Sequence, residues 1–352
     1  RQFSLINKAL DSTGSIIDSV GAVLSPFGEM DYKTSGGRDS FNAMQLTINR
    51  RFTAGLTLGG HYQWGHSIGT TQGSNEAQTA QDPFNFNGER GNNTFDIRHT
   101  GNITALYELP LGKGRAVGMS GVGDTLFGGW SLATVYNFRT GTPLDIRITR
   151  PDLVMQCQNA AGCVEGTTTF ANGFVRALPG TISSTAPLPS GFVAVINTPG
   201  GNNTRNTRRP DRVSGVDPYI SVGDQRFLNP AAFTIPKPGT YGNLSRGALY
   251  GPGFRQVDLT LQKRFRFTEK IGLEFRAEIY NLLNRANFSN PPAILPNNIG
   301  SALTSQQPGQ PFTYTSETSN NVGNFGLLNG TVSRTVGLGT NRQIQFSGRI
   351  SF

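Results

Sequence analysis

Two cysteines are the most reactive side chains of the sequence, and their spacing predicts a small disulfide loop. Cys157 and Cys163 lie in a stretch rich in Gly, Asn and Thr. In an oxidising compartment such a pair forms a disulfide, whereas in a reducing one it remains two free thiols. Metal binding by the pair is not expected, because the chain has 3 His and none lies near it.

No other combination of residue types predicts catalysis. Gly112, Gly114 and Gly118 lack the spacing and the strand–helix surroundings of a dinucleotide-binding loop. His61 and His66 are an odd number of residues apart, so on one strand they face opposite sides and do not share a metal. No G-x-S-x-G motif occurs. We therefore expect a protein that is not an enzyme and has no cofactor. Without a basic stripe interleaved with aromatic residues, we expect no nucleic-acid partner either.

A group of charged residues falls on the polar face of two neighbouring strands. Its members are Asp258, Arg264, Glu274, Arg276 and Glu278. In a barrel they would line a wet lumen, where mixed signs let them pair with one another or with a plug. The favoured interpretation is that these charges form salt bridges with one another, and the alternative is that they contact a substrate.

A second charged group lies in the longest connection of the chain. It consists of Arg205, Arg208, Arg209 and Arg212, among Asn and Pro residues. The favoured expectation is a solvated charged loop. The alternative is a basic surface that attracts lipopolysaccharide phosphates or an anionic ligand.

The elements that position these residues are long amphipathic strands. Seven segments of about 10 to 12 residues alternate apolar and polar side chains, about twice the usual strand length and enough to cross a bilayer at a tilt. Their apolar sets are Met44/Leu46/Ile48, Leu56/Leu58/Tyr62/Trp64, Ile103/Ala105/Tyr107/Leu109, Trp130/Leu132/Tyr136/Phe138, Val257/Leu259/Leu261/Phe265, Ile271/Leu273/Phe275/Ala277/Ile279 and Ile344/Phe346/Ile350/Phe352. Aromatic residues gather near the strand ends, where the interfacial girdles of membrane barrels lie.

The connections alternate between short and long. Thr53–Ala54, 267–270 and the Gly-rich link 110–127 are short or moderate, whereas 65–97, 140–254 and 283–341 are long. Short and long connections fall on opposite ends of the strands. This asymmetry is typical of outer-membrane barrels, which have tight periplasmic turns and large extracellular loops.

Composition and the two ends agree with a barrel that is larger than this chain. Charged residues are only 15%, Gly numbers 45, and no apolar run is long enough for a membrane helix. The chain opens without Met or a signal peptide, so we expect Arg1 not to be the natural start. Seven strands would leave two unpaired edges, which lipid does not tolerate.

Several segments together resemble a known family. GGRDSFNAMQLTINRRFTAGLTLGGHYQWGHSI resembles a recurring barrel hairpin of TonB-dependent outer-membrane receptors. FDIRHTGNITALYELPLGKG, LFGGWSLATVYNFRTGTPLDI, RFLNPAAFTIPKPGTYGNLSRGALYGPGFRQVDLTLQKRF and LEFRAEIYNLLNRANFSNP are similar to later strands. The resemblance extends from about Gly36 to Phe352 and points to the Oar-like, carboxypeptidase-regulatory-like-domain-containing branch of Acidobacteria-type bacteria.

The resemblance implies the C-terminal third of a barrel of about 22 strands, closed around a plug. The plug, the TonB box and the N-terminal domain would lie upstream of Arg1. Phe346, Ile350 and Phe352 would form the C-terminal signal for the barrel-assembly machinery. Gly348 stands one place nearer the end than the family's usual glycine, so this agreement is partial.

We therefore predict an all-β protein, an antiparallel transmembrane β-barrel segment of the cell outer membrane. Residues 1–40 are an extracellular loop with a possible short helix near Ile16, and 41–139 hold four strands. Residues 140–254 are a long extracellular loop, and 255–352 hold three strands and one further long loop.

The predicted function is TonB-dependent uptake of a large nutrient, bound by lumenal polar residues and loops. The expected partners are outer-membrane lipid and lipopolysaccharide, the TonB complex through the upstream part, the barrel-assembly machinery and the unidentified nutrient. The alternatives are a passive porin or autotransporter-type barrel, and a secreted all-β adhesin or carbohydrate-binding protein.

Overall fold

The computed structural model describes residues 3–4, 29–30, 35–52, 55–71, 80–82, 84–151, 153–178, 188–197, 208–220, 226–266, 271–296, 299, 305–313, 322–332 and 341–352. Several sequence-based expectations lie outside these residues. They are the loop helix near Ile16, the turns at Thr53–Ala54 and 267–270, and the position of Arg205.

Seven long antiparallel strands form one sheet in which every strand pairs with its neighbours in chain order. Their bounds are β1 Asp39–Arg51, β2 Leu56–Gly69, β3 His99–Glu108, β4 Trp130–Arg139, β5 Phe254–Arg266, β6 Gly272–Tyr280 and β7 Gln343–Ser351. The predicted seven-stranded antiparallel architecture is confirmed. The sheet is open, because within the described residues β1 and β7 do not pair with each other.

The strand register joins the apolar rows into one continuous face. Tyr107 on β3 stands beside Leu132, which stands beside Leu261, and Ala277 and Phe346 continue the row. Because side chains alternate between faces along a strand, all polar rows fall on the opposite face. The apolar side chains are left exposed, with Met44, Leu46 and Ile48 each more than half exposed. Within the described part of the chain no second sheet packs against this face, as a soluble sandwich adhesin would require.

β2 is longer than the sequence pattern predicted. It continues past Gly65 to Gly69, and Ser67 and Gly69 pair with Phe41 and Asp39 of β1. Within this extension a Cβ on Gly65 would lie 3.2 Å from the Phe41 ring, so the glycine leaves room for the aromatic side chain. The long connection that follows is correspondingly shorter.

The connection between β3 and β4 contains a helix that the sequence reading did not predict. Helix α1 spans Val122–Phe127 after Gly121, whose φ is +59°. The helix ends at Gly128, whose N–H donates to the Asp124 carbonyl at 2.9 Å. Among the described residues no helix has the length and apolar character needed to cross a membrane.

The end of the sheet that carries α1, where β1 ends and β2 begins, is called the turn end, and the opposite end the loop end. At the loop end the long connections are folded rather than structureless. We call the described residues of 80–98, 140–253 and 281–332 the cap. Its short strands are Gly91–Asn92, Pro143–Leu144, Arg147–Ile148, Leu153–Cys157, Cys163–Glu165, Thr168–Phe170, Val175–Ala177, Phe192–Ile196, Asp211–Arg212, Phe233–Thr234, Leu249–Tyr250 and Ile294–Leu295. The cap also contains two 3₁₀ turns, Phe86–Glu89 and Pro230–Ala232. Apart from the cap, the strands Phe3–Ser4 and Glu29–Met30 pair antiparallel as a separate two-stranded sheet.

The cap has its own apolar core, which brings two distant connections together. Leu144, Ile146 and Phe233 come from the connection between β4 and β5, and Phe312 and Phe325 from that between β6 and β7. The Phe233 and Phe325 rings meet edge to face with centroids 5.6 Å apart. Burial of this apolar surface stabilises the cap, since each such side chain contributes on the order of 2 kcal/mol when removed from water.

Candidate ligand-facing surfaces of the sheet and the cap

The charged row on the polar face of β5 and β6 is paired within itself. Glu274 accepts from Arg264 Nε at 3.2 Å and from Arg276 at 2.8 Å through its two carboxylate oxygens. Arg276 also lies 3.8 Å from Glu278. The register explains this network, because Arg264 stands directly opposite Glu274 and Gln262 opposite Arg276. Four of the five predicted lumenal residues therefore lie together.

Asp258, the fifth, is not part of that network. Its Oδ1 accepts from the Gln256 side-chain amide and from the Asn281 backbone N–H, both at 2.8 Å. Asn281 has a φ of 51°, in the left-handed region, at the end of β6. Asp258 therefore holds the backbone where β6 leaves the sheet at the loop end.

The polar face also carries side-chain contacts that cross from β1 to β2. Gln45 donates to Gln63 at 3.0 Å, and Thr47 lies 3.0 Å from His61 Nδ1. His66 instead bonds Asn92 at 3.2 Å, away from His61. Among the described residues no group of His, Cys, Asp or Glu is arranged to hold a metal ion.

Three of the four arginines, Arg208, Arg209 and Arg212, pack into the cap, so the expectation of a solvated basic loop is wrong for them, while Arg205 lies outside the described residues. Arg209 is buried and bonds both oxygens of Glu89, at 2.8 and 3.0 Å. The half-buried Arg212 donates to the carbonyls of Val213 and Ala232, and the half-buried Arg208 to that of Arg150. These guanidinium groups bond carbonyl and carboxylate oxygens of other cap residues, and a sequence pattern does not show such contacts.

Arg150 is a buried arginine that the sequence analysis did not single out. Its guanidinium donates to the backbone carbonyls of Asn197, Thr240, Pro236 and Lys237 at 2.7 to 3.2 Å. Burial, with the nearby Arg208 charge, lowers its pKa to about 10, so it stays charged at neutral pH. Its role is to tie separate cap segments together.

A polar cluster joins the cap to the sheet at the loop end. Asp96 accepts from the Ser67 N–H at 2.6 Å and from the Tyr250 hydroxyl at 2.8 Å. Arg98 donates to the Tyr250 oxygen at 2.8 Å. Burial raises the pKa of Tyr250, so its hydroxyl remains a proton donor to Asp96.

Cys157 and Cys163 form a disulfide in the structure. It lies in a small second core with Met155, Phe170 and Phe192. Phe170 meets Phe192 edge to face at 5.4 Å. The disulfide therefore links the end of the strand Leu153–Cys157 to the start of the strand Cys163–Glu165. Both strands are distant in sequence from the charged residues of β5 and β6.

The C-terminal aromatic residues are accessible on the open edge of the sheet. Phe346, Ile350 and Phe352 are all exposed on or beside β7, on its apolar face. Phe346 stacks on Phe275 of β6 with ring centroids 6.1 Å apart.

Lys263 is a second residue that the alternation pattern did not reveal. It occupies the apolar row of β5 yet is only 2% exposed. Its Nζ donates to the carbonyls of Leu126 and Gly128 at 3.0 and 2.5 Å, and lies 5.3 Å from the Trp130 ring centroid. A break in an otherwise apolar row was the only sequence signal for it.

Comparison with known proteins gives the class of this chain. A family model described as "Outer membrane beta barrel domain" matches residues 6–173 and 161–345, which is most of the chain. The chain belongs to this family of outer-membrane β-barrel domains, and its location is the outer membrane. No curated protein and no solved structure gives a significant match. In such barrels the apolar face meets lipid and the polar face meets the lumen.

Proposed function

We propose that the chain is the C-terminal part of the barrel of a TonB-dependent receptor for a large nutrient. The turn end faces the periplasm and the cap faces the outside of the cell. The TonB complex acts through a plug domain that precedes this part of the barrel. Outer-membrane lipid and lipopolysaccharide surround the apolar face, and the barrel-assembly machinery reads the C-terminal aromatic residues.

The observation that carries the proposal is the folded cap. Two long connections share one apolar core at a single end of the sheet, and a third, which carries Gln81 and Glu89, is joined to them by hydrogen bonds. A folded cap offers a fixed surface for a large ligand at low entropic cost, whereas passive diffusion needs only an open channel. The resemblance of the strand segments to TonB-dependent receptors supports the same reading.

The open sheet supports a large barrel. Unpaired strand edges are not tolerated in lipid, so β1 and β7 require partner strands in the membrane. A receptor barrel of about 22 strands would supply them. The self-paired charges of Arg264, Glu274 and Arg276 suit the wet wall of such a barrel, where they remain available to a plug.

Reading the gene upstream of the Arg1 codon tests the proposal directly. We expect an open frame that encodes a plug domain and a TonB box. A passive porin has neither, so an upstream frame that holds only further strands would contradict the receptor assignment and favour the porin.

Energy coupling gives a functional test. Outer membranes of cells expressing the full protein are incubated with the purified periplasmic domain of TonB, and membranes carrying a variant without the TonB box serve as the control. We expect co-sedimentation that the deletion abolishes. Equal recovery with both membranes, together with steady conductance of the purified protein in a planar bilayer, would refute the proposal.

A further inference from the structure

Helix α1 leaves its apolar side chains uncovered. Val122, Leu126 and Phe127 are 75%, 56% and 54% exposed, and the helix buries no residue. Val122 and Leu126 are four residues apart, so they lie on one face of the helix. Three uncovered apolar side chains on six residues are costly in water, at about 25 cal/mol per Å² of apolar surface.

The helix is nevertheless held firmly against the sheet. Asp124 Oδ1 accepts from the Lys113 N–H at 2.7 Å, which fixes the start of the helix to the preceding hairpin. At the other end the Leu126 carbonyl accepts from Trp130 Nε1 and Lys263 Nζ, each at 3.0 Å. The apolar residues are therefore exposed in a fixed orientation.

The contacts place α1 beside the apolar face of the sheet. Trp130 and Lys263 stand opposite each other in the register and belong to the rows that carry Leu132 and Leu261. Phe265, from the same row, lies 4.9 Å from Lys263 Nζ. The end of α1 thus meets the lipid-facing side of β4 and β5, where the row ends at the turn end.

We propose that α1 lies in the headgroup region of the phospholipid leaflet and inserts Val122, Leu126 and Phe127 among the acyl chains. The occupant of this surface is lipid, because the surface continues the lipid-facing rows of the barrel. Trp130 and Lys263 have the chemistry of an interfacial anchor, with an aromatic ring and a long cation whose stem is apolar. Amphipathic helices bind membranes in this way, lying in the plane of the interface.

The proposal gives Lys263 a role. A lysine in a lipid-facing row would need to reach water or find a partner. The carbonyls of Leu126 and Gly128, at the C-terminal end of α1, carry partial negative charge and supply that partner. The lysine then fixes the depth at which α1 lies. This leaflet is the periplasmic one if the turn end faces the periplasm, and that orientation rests on the proposed function.

The test uses introduced cysteines in the full protein in isolated outer membranes. The two cysteines of this chain are joined in the disulfide, and the full protein without an added cysteine gives the background labelling that is subtracted. Val122→Cys and Leu126→Cys probe the face of α1. Ser120→Cys, just before the helix and differing from the native residue by one atom, is the matched control. Each variant is treated with a charged maleimide and, separately, with a lipid-soluble pyrene maleimide.

We expect the charged reagent to label Val122→Cys and Leu126→Cys about 10-fold more slowly than Ser120→Cys, as for side chains below the headgroups. The pyrene reagent should label both rapidly. Rapid labelling by the charged reagent would overturn the proposal, because the face would be in water. Slow labelling by both reagents would also overturn it, because the face would be covered by protein.

The orientation is tested separately on intact cells. There a maleimide coupled to a hydrophilic polymer too large for porin channels should leave Ser120→Cys unlabelled if the turn end is periplasmic. Labelling on intact cells would contradict the orientation in the proposed function. The contact between α1 and lipid would still be decided by the two reagents on isolated membranes.

Discussion

Arginine side chains carry much of the polar structure of the cap. Arg150 and Arg209 are both buried, and each bonds groups from more than one segment. A guanidinium has five N–H donors in a fixed fork, so one residue can satisfy several carbonyls that short strands leave unpaired. Lysine has the charge without the fork and cannot replace it.

Arg150→Met should unfold the part of the cap that joins Asn197 to Thr240. It removes the donor of the Pro236 and Thr240 carbonyls, whereas the Asn197 and Lys237 carbonyls keep the N–H donors of Gly239 and Thr240, and we expect a cost of about 1–3 kcal/mol. Limited proteolysis of the assembled protein measures the effect. Arg147→Met, whose side chain is half exposed, is the control and should change the cleavage rate little. Equal rates for the two variants would contradict the role of Arg150.

Tyr241 gives the cap a dependence on alkaline pH. Burial, with the nearby Asp82 carboxylate, raises the pKa of Tyr241 from 10.0 to about 12. Between these values the unfolded chain loses the phenol proton and the folded chain keeps it, so the free energy of unfolding falls as the pH rises. Below pH 10 the contribution is complete.

The measurement is the protease resistance of the cap between pH 9 and pH 12 in the native protein and in Tyr241→Phe. We expect the native protein to lose resistance relative to the variant as the pH passes from about 10 to about 12. Parallel curves for the two proteins would show that Tyr241 does not titrate as described.

Single strands and their connections show how far sequence reasoning reaches. The seven strands and their faces follow from period-two alternation, since within each strand the apolar residues occupy every second position and the register brings them to one face. The pairing of Arg264 with Glu274 also follows, because a short turn fixes the register of β5 and β6. The α1 helix does not follow, because its six residues are too few to show a helical period within a Gly-rich link.

The cap could not be predicted for a different reason. Its short strands pair residues that are distant in sequence, such as Arg147 with Ile294. The burial of Arg209 depends on Glu89, from another connection. Contacts of this kind depend on where whole loops pack, and alternation within a segment holds no information about them. Lys263 was missed likewise, since its partners are carbonyls of a helix that the pattern did not show.

Two carboxylates on the polar face should differ in their effect on stability. Asp258→Ala removes the acceptor of the Asn281 N–H, and Asn281 is buried, so we expect a loss of about 1–3 kcal/mol. Glu274→Ala breaks ion pairs with partly exposed arginines, and we expect no more than about 1 kcal/mol. Heat-induced unfolding in detergent, followed by gel mobility, compares them. An equal or larger effect of Glu274→Ala would contradict the assignment of Asp258.

The disulfide should stabilise the second core of the cap without affecting the sheet. Replacing Cys157 and Cys163 by Ala should cost about 2 kcal/mol, because the closed loop is short. We expect faster proteolysis near residues 158–162 and an unchanged heat-unfolding transition of the sheet. Loss of the sheet transition in the double variant would show that the two parts are not independent.

On the scale of the whole molecule, assembly should depend on the C-terminal aromatic residue. Phe352 is fully exposed, and Ile344 is 57% exposed near the other end of β7. We expect Phe352→Ala to lower the amount of folded protein in the outer membrane several-fold. Ile344→Ala, which removes apolar surface from the same strand, should lower it much less. Quantitative immunoblotting of outer membranes measures both, and equal losses would mean that Phe352 carries no special signal.

The shared core of the cap sets an order of events for biogenesis. Phe233 precedes β5 in the chain, and its partner Phe325 comes shortly before β7. If the cap faces outward, both segments must have crossed the membrane before these rings can meet. The apolar core of the cap is thus completed only when the segment between β6 and β7 has crossed, whereas Arg150 and Arg209 bond groups that precede β5 in the chain. Protease pulses during assembly should therefore find the cap cleavable until that segment is in place. Earlier protection would contradict this sequence of steps.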